Sequence, residues 1–201
     1  MNNMITKIKN YYRPYFINRN WKKFSIYTSI MVLLILFDVF TKIGVFNLYS
    51  KGLGNETYAV FGLVRLRLAF NKGAAFSFLS GNGFGLYFLP ILSLVMFIAL
   101  SYVYVVYFDK VPEFIILALV LLLAGCFGNM VDRFGRVANN PLYYRGVIDF
   151  IDVSHIFNFN AIFNIADVCV VASFVTIALG LIYFGINSLI HKKYIENEQQ
   201  I

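Results

Sequence analysis

Four long apolar segments dominate this chain, at about residues 24–45, 85–108, 112–131 and 162–190. As a helix that rises about 1.5 Å per residue, each is long enough to cross roughly 30 Å of hydrocarbon. Charged residues make up only 13% of the chain, against roughly 25% in soluble domains. The sequence therefore predicts an all-α integral membrane protein built as a four-transmembrane-helix bundle.

The distribution of basic residues predicts how these segments are oriented. Lys- and Arg-rich flanks stay in the cytoplasm, and four spans return the chain to the side on which it starts. We therefore expect both termini in the cytoplasm. We also expect a single domain over residues 1–201, because the connecting loops are too short to hold a separate one. The basic flanks are Lys7, Lys9, Arg13, Arg19, Lys22 and Lys23 before the first segment, and His191, Lys192 and Lys193 after the last.

Polar residues within the apolar segments gather at the ends that this topology places outside the cytoplasm. A charged group at membrane depth costs on the order of 3 kcal/mol, so such groups usually face a bundle interior and mark a functional site. The sequence therefore predicts one polar cluster near the extracytoplasmic face. Its members are Asp38 and Lys42 late in the first segment, Asn129, Asp132 and Arg133 at the end of the third, and Asn164 and Asp167 at the start of the fourth.

Asp132 and Asp167 are the predicted chemical centre of this cluster. Two carboxylates close together in a low-dielectric site cannot both ionise cheaply, so one can stay protonated while the other accepts a proton from water. The helix dipoles favour an ionised Asp167 and a neutral Asp132, although Arg133 opposes the second effect. Asp38 and Lys42 stand four residues apart, and this spacing predicts a structural ion pair that steadies the site.

The first outer loop contains a predicted strand. Residues 64–68 alternate between apolar and basic side chains, which is typical of a half-buried strand in a small extracytoplasmic β-sheet. Arg65 and Arg67 then face either water or anionic headgroups, and both alternatives stay open. Asn71 comes before small residues that begin at Gly73. This arrangement could hold the main chain of an extended ligand, or it could be a simple turn.

The second outer loop, residues 134–161, contains a short apolar run at 146–152 that also carries Asp149 and Asp152. A partly buried strand and a surface helix over the site are both compatible with this pattern. The sequence predicts only that this outer loop lies over the polar cluster.

Several functional classes are disfavoured by what the sequence lacks. The basic tail has no recognised nucleic-acid-binding module around it. Cys126 and Cys169 lie within apolar segments, where thiols usually pack as apolar groups. His155 and His191 have no partner at metal-ligand spacing, and neither a phosphate-binding glycine loop nor a Ser/His/Asp arrangement is present. We therefore expect no metal, no cofactor and no nucleic-acid partner.

Five motifs carry the polar residues along the chain. They are Asp38-x-x-x-Lys42, Asn71-x-Gly73-Ala74-Ala75-Phe76-Ser77, Gly125-x-x-Gly128-Asn129-x-x-Asp132-Arg133, Gly146-Val147-Ile148-Asp149-Phe150 and Phe163-Asn164-x-Ala166-Asp167. As an ordered set over four segments and both outer loops, they resemble lipoprotein signal peptidase, also called signal peptidase II.

This resemblance implies an intramembrane aspartic endopeptidase that cleaves the signal peptide from diacylglyceryl-modified prolipoproteins before the lipidated cysteine. The implied mechanism is acid–base catalysis of water attack, without a covalent intermediate. The implied location is the bacterial cell membrane, and the implied partners are the lipid-modified prolipoprotein and membrane lipids; a monomer is expected. Carried over by motif, the catalytic residues are Asp132 and Asp167, the substrate-binding residues are Asn71, Gly73, Asn129, Arg133 and Asn164, and the supporting residues are Asp38, Lys42 and Asp149.

The chain departs from the family pattern at a few places. Ala124 stands where the family usually has the first of two adjacent glycines, and Ala161 stands where a proline is common. Residues 139–144 and 154–160 resemble insertions. Two other functions are compatible with a polar membrane cluster. One is a transporter or lipid-binding protein with a proton-relay site, and the other is a metal-dependent lipid phosphatase.

Overall fold

The computed structural model describes residues 19–51, 58–60, 64–72, 83–137, 146–154 and 161–198. Four long helices account for most of these residues: α1 Trp21–Ser50, α2 Gly83–Tyr107, α3 Glu113–Val137 and α4 Ile165–Glu198. Four strands complete the described fold: β1 Tyr58–Val60, β2 Val64–Asn71, β3 Val147–Asp152 and β4 Ile162–Phe163.

All four helices are long and apolar enough to span a membrane. The spanning stretches are Trp21–Ser50, Gly85–Tyr107, Glu113–Gly135 and Ile165–His191. The predicted four-helix membrane bundle is therefore confirmed. Large apolar side chains are exposed along the outer faces of the helices, with Phe40 at 66% and Leu189 at 70% exposure. In a membrane protein this apolar surface faces lipid, which removes the cost of exposing it to water.

The fourth helix begins later than the sequence predicted. The predicted segment starts at residue 162, but Ile162 and Phe163 form β4, which pairs with β3, and α4 begins at Ile165. Asn164 ends the strand because its side chain and backbone take part in the hydrogen bonds that cap the helix. Hydropathy alone cannot find this boundary, since an apolar strand runs directly into an apolar helix.

The strands form one antiparallel sheet in the order β1-β2-β3-β4. This sheet confirms the predicted strand at residues 64–68, extends it to Asn71, and shows that residues 147–152 form a strand rather than a helix. The pairing of β2 with β3 joins the two outer loops and places Asn71 opposite Val147 and Ala69 opposite Asp149. Gly146, just before β3, has a φ of 135°, a conformation that side chains other than glycine rarely adopt.

Helix α3 is the central helix of the bundle. Half of its most apolar stretch is buried, against 17% in each of the other three spans. Two glycines let α4 approach it closely. A Cβ atom on Gly125 would lie 2.5 Å from the carbonyl oxygen of Ala166, and one on Gly128 would lie 3.0 Å from the Cβ of Ala166. The start of α4 is thereby held against the middle third of α3.

The four helices bring a defined set of termini to each end of the bundle. One end, which we call the site end, contains the C-terminal parts of α1 and α3, the N-terminal parts of α2 and α4, and the sheet. At the opposite end, Arg19 lies over the ring of Phe24 and forms a salt bridge of 3.3 Å with Asp109. A buried apolar cluster stabilises that opposite end; it consists of Tyr104, Phe108, Ile116, Val120 and Leu123.

Candidate active site

Lys42 lies at the centre of the polar cluster at the site end. Its Nζ is 2.8 Å from Asp38 Oδ2 and 3.0 Å from Asp132 Oδ2, and it donates a hydrogen bond of 3.1 Å to Asn129 Oδ1. Lys42 is fully buried, as an ammonium group can be only when it is paired. The ion pair predicted between Asp38 and Lys42 is present, and it extends across the helix interface to Asp132.

Asp132 faces α1 and β3. Its Oδ2 contacts Lys42 and also accepts a hydrogen bond of 3.1 Å from the backbone N–H of Ile148. The side chain has no exposed surface, and its Oδ1 has no hydrogen-bond partner among the described residues. Asp132 therefore joins α3 to α1 and to the sheet, whereas the sequence predicted it as the catalytic partner of Asp167.

Asn129 connects Lys42 with Asp167. Its Oδ1 accepts from Lys42, and its Nδ2 donates a hydrogen bond of 2.8 Å to Asp167 Oδ1. An amide has one acceptor end and one donor end, so the ammonium group of Lys42 fixes which end points towards Asp167. Asn164 adds a second hydrogen bond to Asn129 Oδ1, at 3.1 Å.

Asn164 and Asp167 cap the N-terminus of α4 reciprocally. The N–H of Asp167 donates to Asn164 Oδ1 at 2.9 Å, and the N–H of Asn164 donates to Asp167 Oδ2 at 3.2 Å. These bonds form a capping box, which satisfies backbone donors that a helix leaves free at its start. Asp38 supplies a further cap from α1, because its Oδ1 accepts a hydrogen bond of 2.8 Å from the N–H of Ala166. Asp167 is therefore held in place by three helices.

Asp149 on β3 shares Asn164 with Asp167. Its Oδ1 accepts a hydrogen bond of 2.7 Å from Asn164 Nδ2, and only 4% of the residue is exposed. Burial, followed by the charge of Asp167, raises the pKa of Asp149 to about 7, although the bond from Asn164 acts in the opposite direction. Asp149 and Asp167 thus form a pair of carboxyl groups that repel each other and bind the same residue.

A cavity at the site end is lined by two of the predicted substrate-binding residues. Asn71 of β2 and Arg133 of α3 both line it. Arg133 donates from Nη1 to Ser93 Oγ at 2.9 Å, while its buried Nε has no hydrogen-bond partner among the described residues. The remaining lining residues are Lys72, Gly85, Leu86, Leu89, Pro90, Gly146 and Val147.

The other predicted site residues take different positions. Asn129 and Asn164 do not line this cavity, since both contact carboxyl groups instead. Gly73 lies outside the described residues. Ser93, which orients Arg133, was not among the predicted site residues, although a hydroxyl group within an apolar span was a signal for it. Within the described ranges, no group of three His, Cys, Asp or Glu side chains is arranged to hold a metal ion.

The fold and the site define a class of protein: a multi-pass membrane protein with a buried carboxylate cluster at one end of a four-helix bundle. Comparison with known proteins identifies the family. The family profile described as Signal peptidase (SPase) II matches residues 30–183. The chain therefore belongs to the signal peptidase II family, as the motifs predicted. This family consists of proteases that process the signal peptides of prolipoproteins.

Individual relatives agree with this assignment. The lipoprotein signal peptidase of Janthinobacterium sp. (strain Marseille) is 38% identical over 141 residues, which are 69% of this chain and 77% of the relative. That of Buchnera aphidicola subsp. Schizaphis graminum (strain Sg) is 36% identical over 73% of this chain and 86% of the relative. The fold is similar to a bacterial membrane enzyme solved by the in meso method at 2.3 Å, with a TM-score of 0.61, 28% identity and coverage of 81% of this chain and 91% of that one.

Proposed function

We propose that this protein is an intramembrane aspartic endopeptidase that cleaves the signal peptide from diacylglyceryl-modified prolipoproteins, just before the lipidated cysteine. Family membership supports the substrate class. The aspartic mechanism is supported chiefly by one observation, the pair of carboxyl groups on Asp149 and Asp167 that meet at Asn164. The proposal keeps Asp167 as a catalytic residue and replaces its predicted partner Asp132 with Asp149.

The surroundings of the two candidate partners favour Asp149. Asp132 is engaged by the Lys42 ammonium and by the N–H of Ile148, and it has no exposed surface. Asp149 has no salt bridge within the described residues, and its pKa of about 7 makes the protonated form available near neutral pH. A pair of titratable groups in which one stays protonated is the arrangement that acid–base hydrolysis requires.

The contacts suggest how the two groups divide the work. Asp167 accepts hydrogen bonds from Asn129 Nδ2 and from the N–H of Asn164, and it acts as the base that takes a proton from water. Protonated Asp149 donates a hydrogen bond to the scissile carbonyl oxygen as water attacks. The proton of Asp149 passes to that oxygen, so the tetrahedral intermediate is a gem-diol. As the gem-diol collapses, Asp167 gives the proton that it took from water to the leaving amine nitrogen. Asp149 takes back a proton from one hydroxyl of the gem-diol, and a carbonyl re-forms in the new carboxylic acid. No covalent bond forms between enzyme and substrate.

The cavity lined by Asn71 and Arg133 is the proposed binding place for the extended segment around the scissile bond. Asn71 can bond to a peptide main chain, and the buried Nε of Arg133 offers a donor for a substrate carbonyl. Asn129 and Asn164 contribute by holding the carboxyl groups rather than by binding the peptide. Gly73 stays a predicted substrate-binding residue from its motif alone.

The orientation in the membrane is also a proposal. The basic N-terminal flank favours a cytoplasmic N-terminus, and the helix order then puts both termini in the cytoplasm and the site end near the extracytoplasmic face of the bacterial cell membrane. A substrate whose signal helix lies in the bilayer presents its lipidated cysteine at that depth. We propose that the enzyme works as a monomer, because all of the proposed catalytic groups come from one chain.

Asn substitutions at the three aspartates test the catalytic assignment. The purified variants Asp149→Asn, Asp167→Asn and Asp132→Asn are incubated in detergent with a lipidated precursor, and cleavage is followed by gel shift. We expect the first two to fold and to lose at least about 100-fold in rate, which is the smaller end of general acid–base contributions. Asp132→Asn is expected to lower the melting temperature and to keep measurable cleavage.

Three results would contradict parts of this proposal. If folded Asp149→Asn cleaves well while folded Asp132→Asn is inactive, the pair is Asp132 and Asp167. If a chelator abolishes wild-type cleavage, the enzyme depends on a metal. If the wild-type protein leaves the lipidated precursor uncut, the endopeptidase assignment is wrong, and a transporter or lipid-binding protein becomes the better explanation.

A further inference from the structure

Strand β2 has one apolar face and one cationic face. Leu66, Leu68 and Phe70 pack on the cluster of Val45, Ile148 and Phe150 at the site end. Arg65 and Arg67 alternate with these residues, and both side chains are exposed on the other face of the strand. We call the surface formed by Arg65 and Arg67 the cationic strand face. Its position follows from the exposure of both side chains, because the pairing of β2 with β3 shifts register between Leu66 and Ala69 and the two-residue period is interrupted there.

A hydrogen bond fixes the depth of this face relative to the membrane. Tyr49 lies in the last turn of the spanning helix α1, and its hydroxyl group donates a bond of 2.6 Å to the carbonyl oxygen of Leu66. Leu66 stands between the two arginines. The cationic strand face therefore lies at the level where α1 leaves the hydrocarbon, which is the level of the lipid headgroups. Lys51, the exposed residue that follows α1, lies at the same end.

The described acidic groups at the site end do not neutralise the cationic strand face. Asp38, Asp132, Asp149 and Asp152 are buried, and the half-buried Asp167 is held by Asn129 and Asn164. The exposed acids Asp109 and Glu113 belong to the opposite end.

Asp152 pairs with Arg65 in the strand register, and it comes nearest to neutralising this face. Hydrogen bonds from Ser154, and more weakly the charges of Arg67 and Arg65, lower the pKa of Asp152. Neither arginine, however, forms a salt bridge with any residue that the structure describes. Two arginines at headgroup depth therefore lack a salt-bridge partner in the described part of the chain, and Asp152 supplies one negative charge at longer range against their two positive charges.

We propose that the cationic strand face binds the phosphate groups of anionic phospholipids. The planar guanidinium fork of arginine matches phosphate oxygens, and its weak hydration favours contact at an interface. Each arginine near an anionic membrane surface is expected to raise lipid affinity about fivefold. Because β2 also carries Asn71 and pairs with the strand of Asp149, bound headgroups would hold the site end at a constant depth.

Retention of lipid by the purified chain tests this proposal. The full chain is reconstituted in vesicles of equal phosphatidylglycerol and phosphatidylcholine, extracted in mild detergent, and examined by native mass spectrometry for the two bound lipids. We expect the wild-type protein to retain phosphatidylglycerol in excess. In the variant R65Q/R67Q, the ratio of bound phosphatidylglycerol to bound phosphatidylcholine is expected to be about 5- to 25-fold lower. R65K/R67K keeps the charge and is expected to keep most of it.

The control variant K22Q/K110Q removes the same number of charges from exposed positions at the opposite end. It is expected to stay near the wild-type preference. Equal loss in R65Q/R67Q and in this control, or no loss in either, overturns the proposal. If R65Q/R67Q does not fold, the single variant R67Q replaces it, with an expected loss of about fivefold.

The same variants distinguish lipid from a protein partner. If R65Q/R67Q keeps its preference for phosphatidylglycerol but raises the KM for a lipidated precursor, the cationic strand face binds substrate and the lipid proposal is wrong. Lipid retention is measured without any cleavage, so its outcome is independent of the proposed peptidase mechanism.

Discussion

Asp132 and Asp149 illustrate how strongly the surroundings of a buried carboxyl group determine its role. Both are buried aspartates at the site end, and both lie close to Ile148. The backbone N–H of Ile148 donates to Asp132, and Ile148 directly precedes Asp149 in the chain. Asp132 is paired with the ammonium group of Lys42. Asp149 accepts one hydrogen bond from the side-chain amide of Asn164 and is repelled by the charge of Asp167. The sequence placed Asp132 in the cluster and Asp149 in the outer loop over it. It could not assign their partners, because Lys42 reaches Asp132 from α1 and Asn164 reaches Asp149 from the start of α4.

The raised pKa of Asp149 predicts how stability depends on pH. The folded protein holds this proton until about pH 7, while the unfolded chain releases it near the ordinary value of 3.8. Between these values the folded state binds more protons, so stability falls as pH rises through this window. Asp149→Asn removes the effect. We expect the variant to gain on the order of 2 kcal/mol relative to wild type between pH 5 and pH 8, measured by unfolding in detergent.

Asp152→Asn is the matched control on the same strand. The pKa of Asp152 is lowered, so its carboxylate is ionised in both folded and unfolded chains across that range. Its substitution should change stability by the same amount at both pH values. A constant difference between wild type and Asp149→Asn would mean that Asp149 does not titrate with the raised pKa.

At the scale of elements, the close contact between α1, α3 and α4 sets the geometry of the site. Gly128 on α3 leaves room for the carboxyl group of Asp38, which in turn caps α4 at Ala166. The motif containing Gly128 was visible in the sequence, but the structural reason for a glycine at this position was not. The carboxyl group that fills the space beside Gly128 belongs to Asp38, which lies 90 residues earlier in the chain.

Gly128→Ala should therefore destabilise the bundle. The added Cβ would lie 2.5 Å from Asp38 Oδ2, and Asp38 cannot withdraw without losing Lys42 or the N–H of Ala166. We expect a loss of about 1–3 kcal/mol, which is usual for overpacking, together with reduced cleavage. Unfolding in detergent measures the first effect.

Gly44→Ala in α1 is the control for this substitution. No atom lies within 4 Å of the Cβ position at Gly44, so the change adds only helix propensity and should be neutral or slightly stabilising. If both alanine variants have the same stability, the contact between Gly128 and Asp38 does not constrain the packing.

At the scale of the whole molecule, the antiparallel order of four helices explains why the sequence predicted the polar cluster so well. Alternating spans bring Asp38, Asn129 and Asp167 to one end of the bundle whatever their separation along the chain. Hydropathy predicted this arrangement because it depends only on the number and order of spans. The sheet could not be derived in the same way, since the pairing of β2 with β3 and of β3 with β4 depends on tertiary contacts between separate loops.

The orientation of the whole molecule is open to a direct test by cysteine labelling. Lys22 and Lys51 are exposed residues at the two ends of α1, and the two native cysteines, Cys126 and Cys169, lie within spans. In a background with both native cysteines replaced by Ala, Lys51→Cys should react with a membrane-impermeant maleimide in intact cells. Lys22→Cys should react only after the membrane is permeabilised, because basic flanks stay in the cytoplasm. The reverse pattern would place the site end in the cytoplasm, where a secreted prolipoprotein could not present its lipidated cysteine to Asp149 and Asp167.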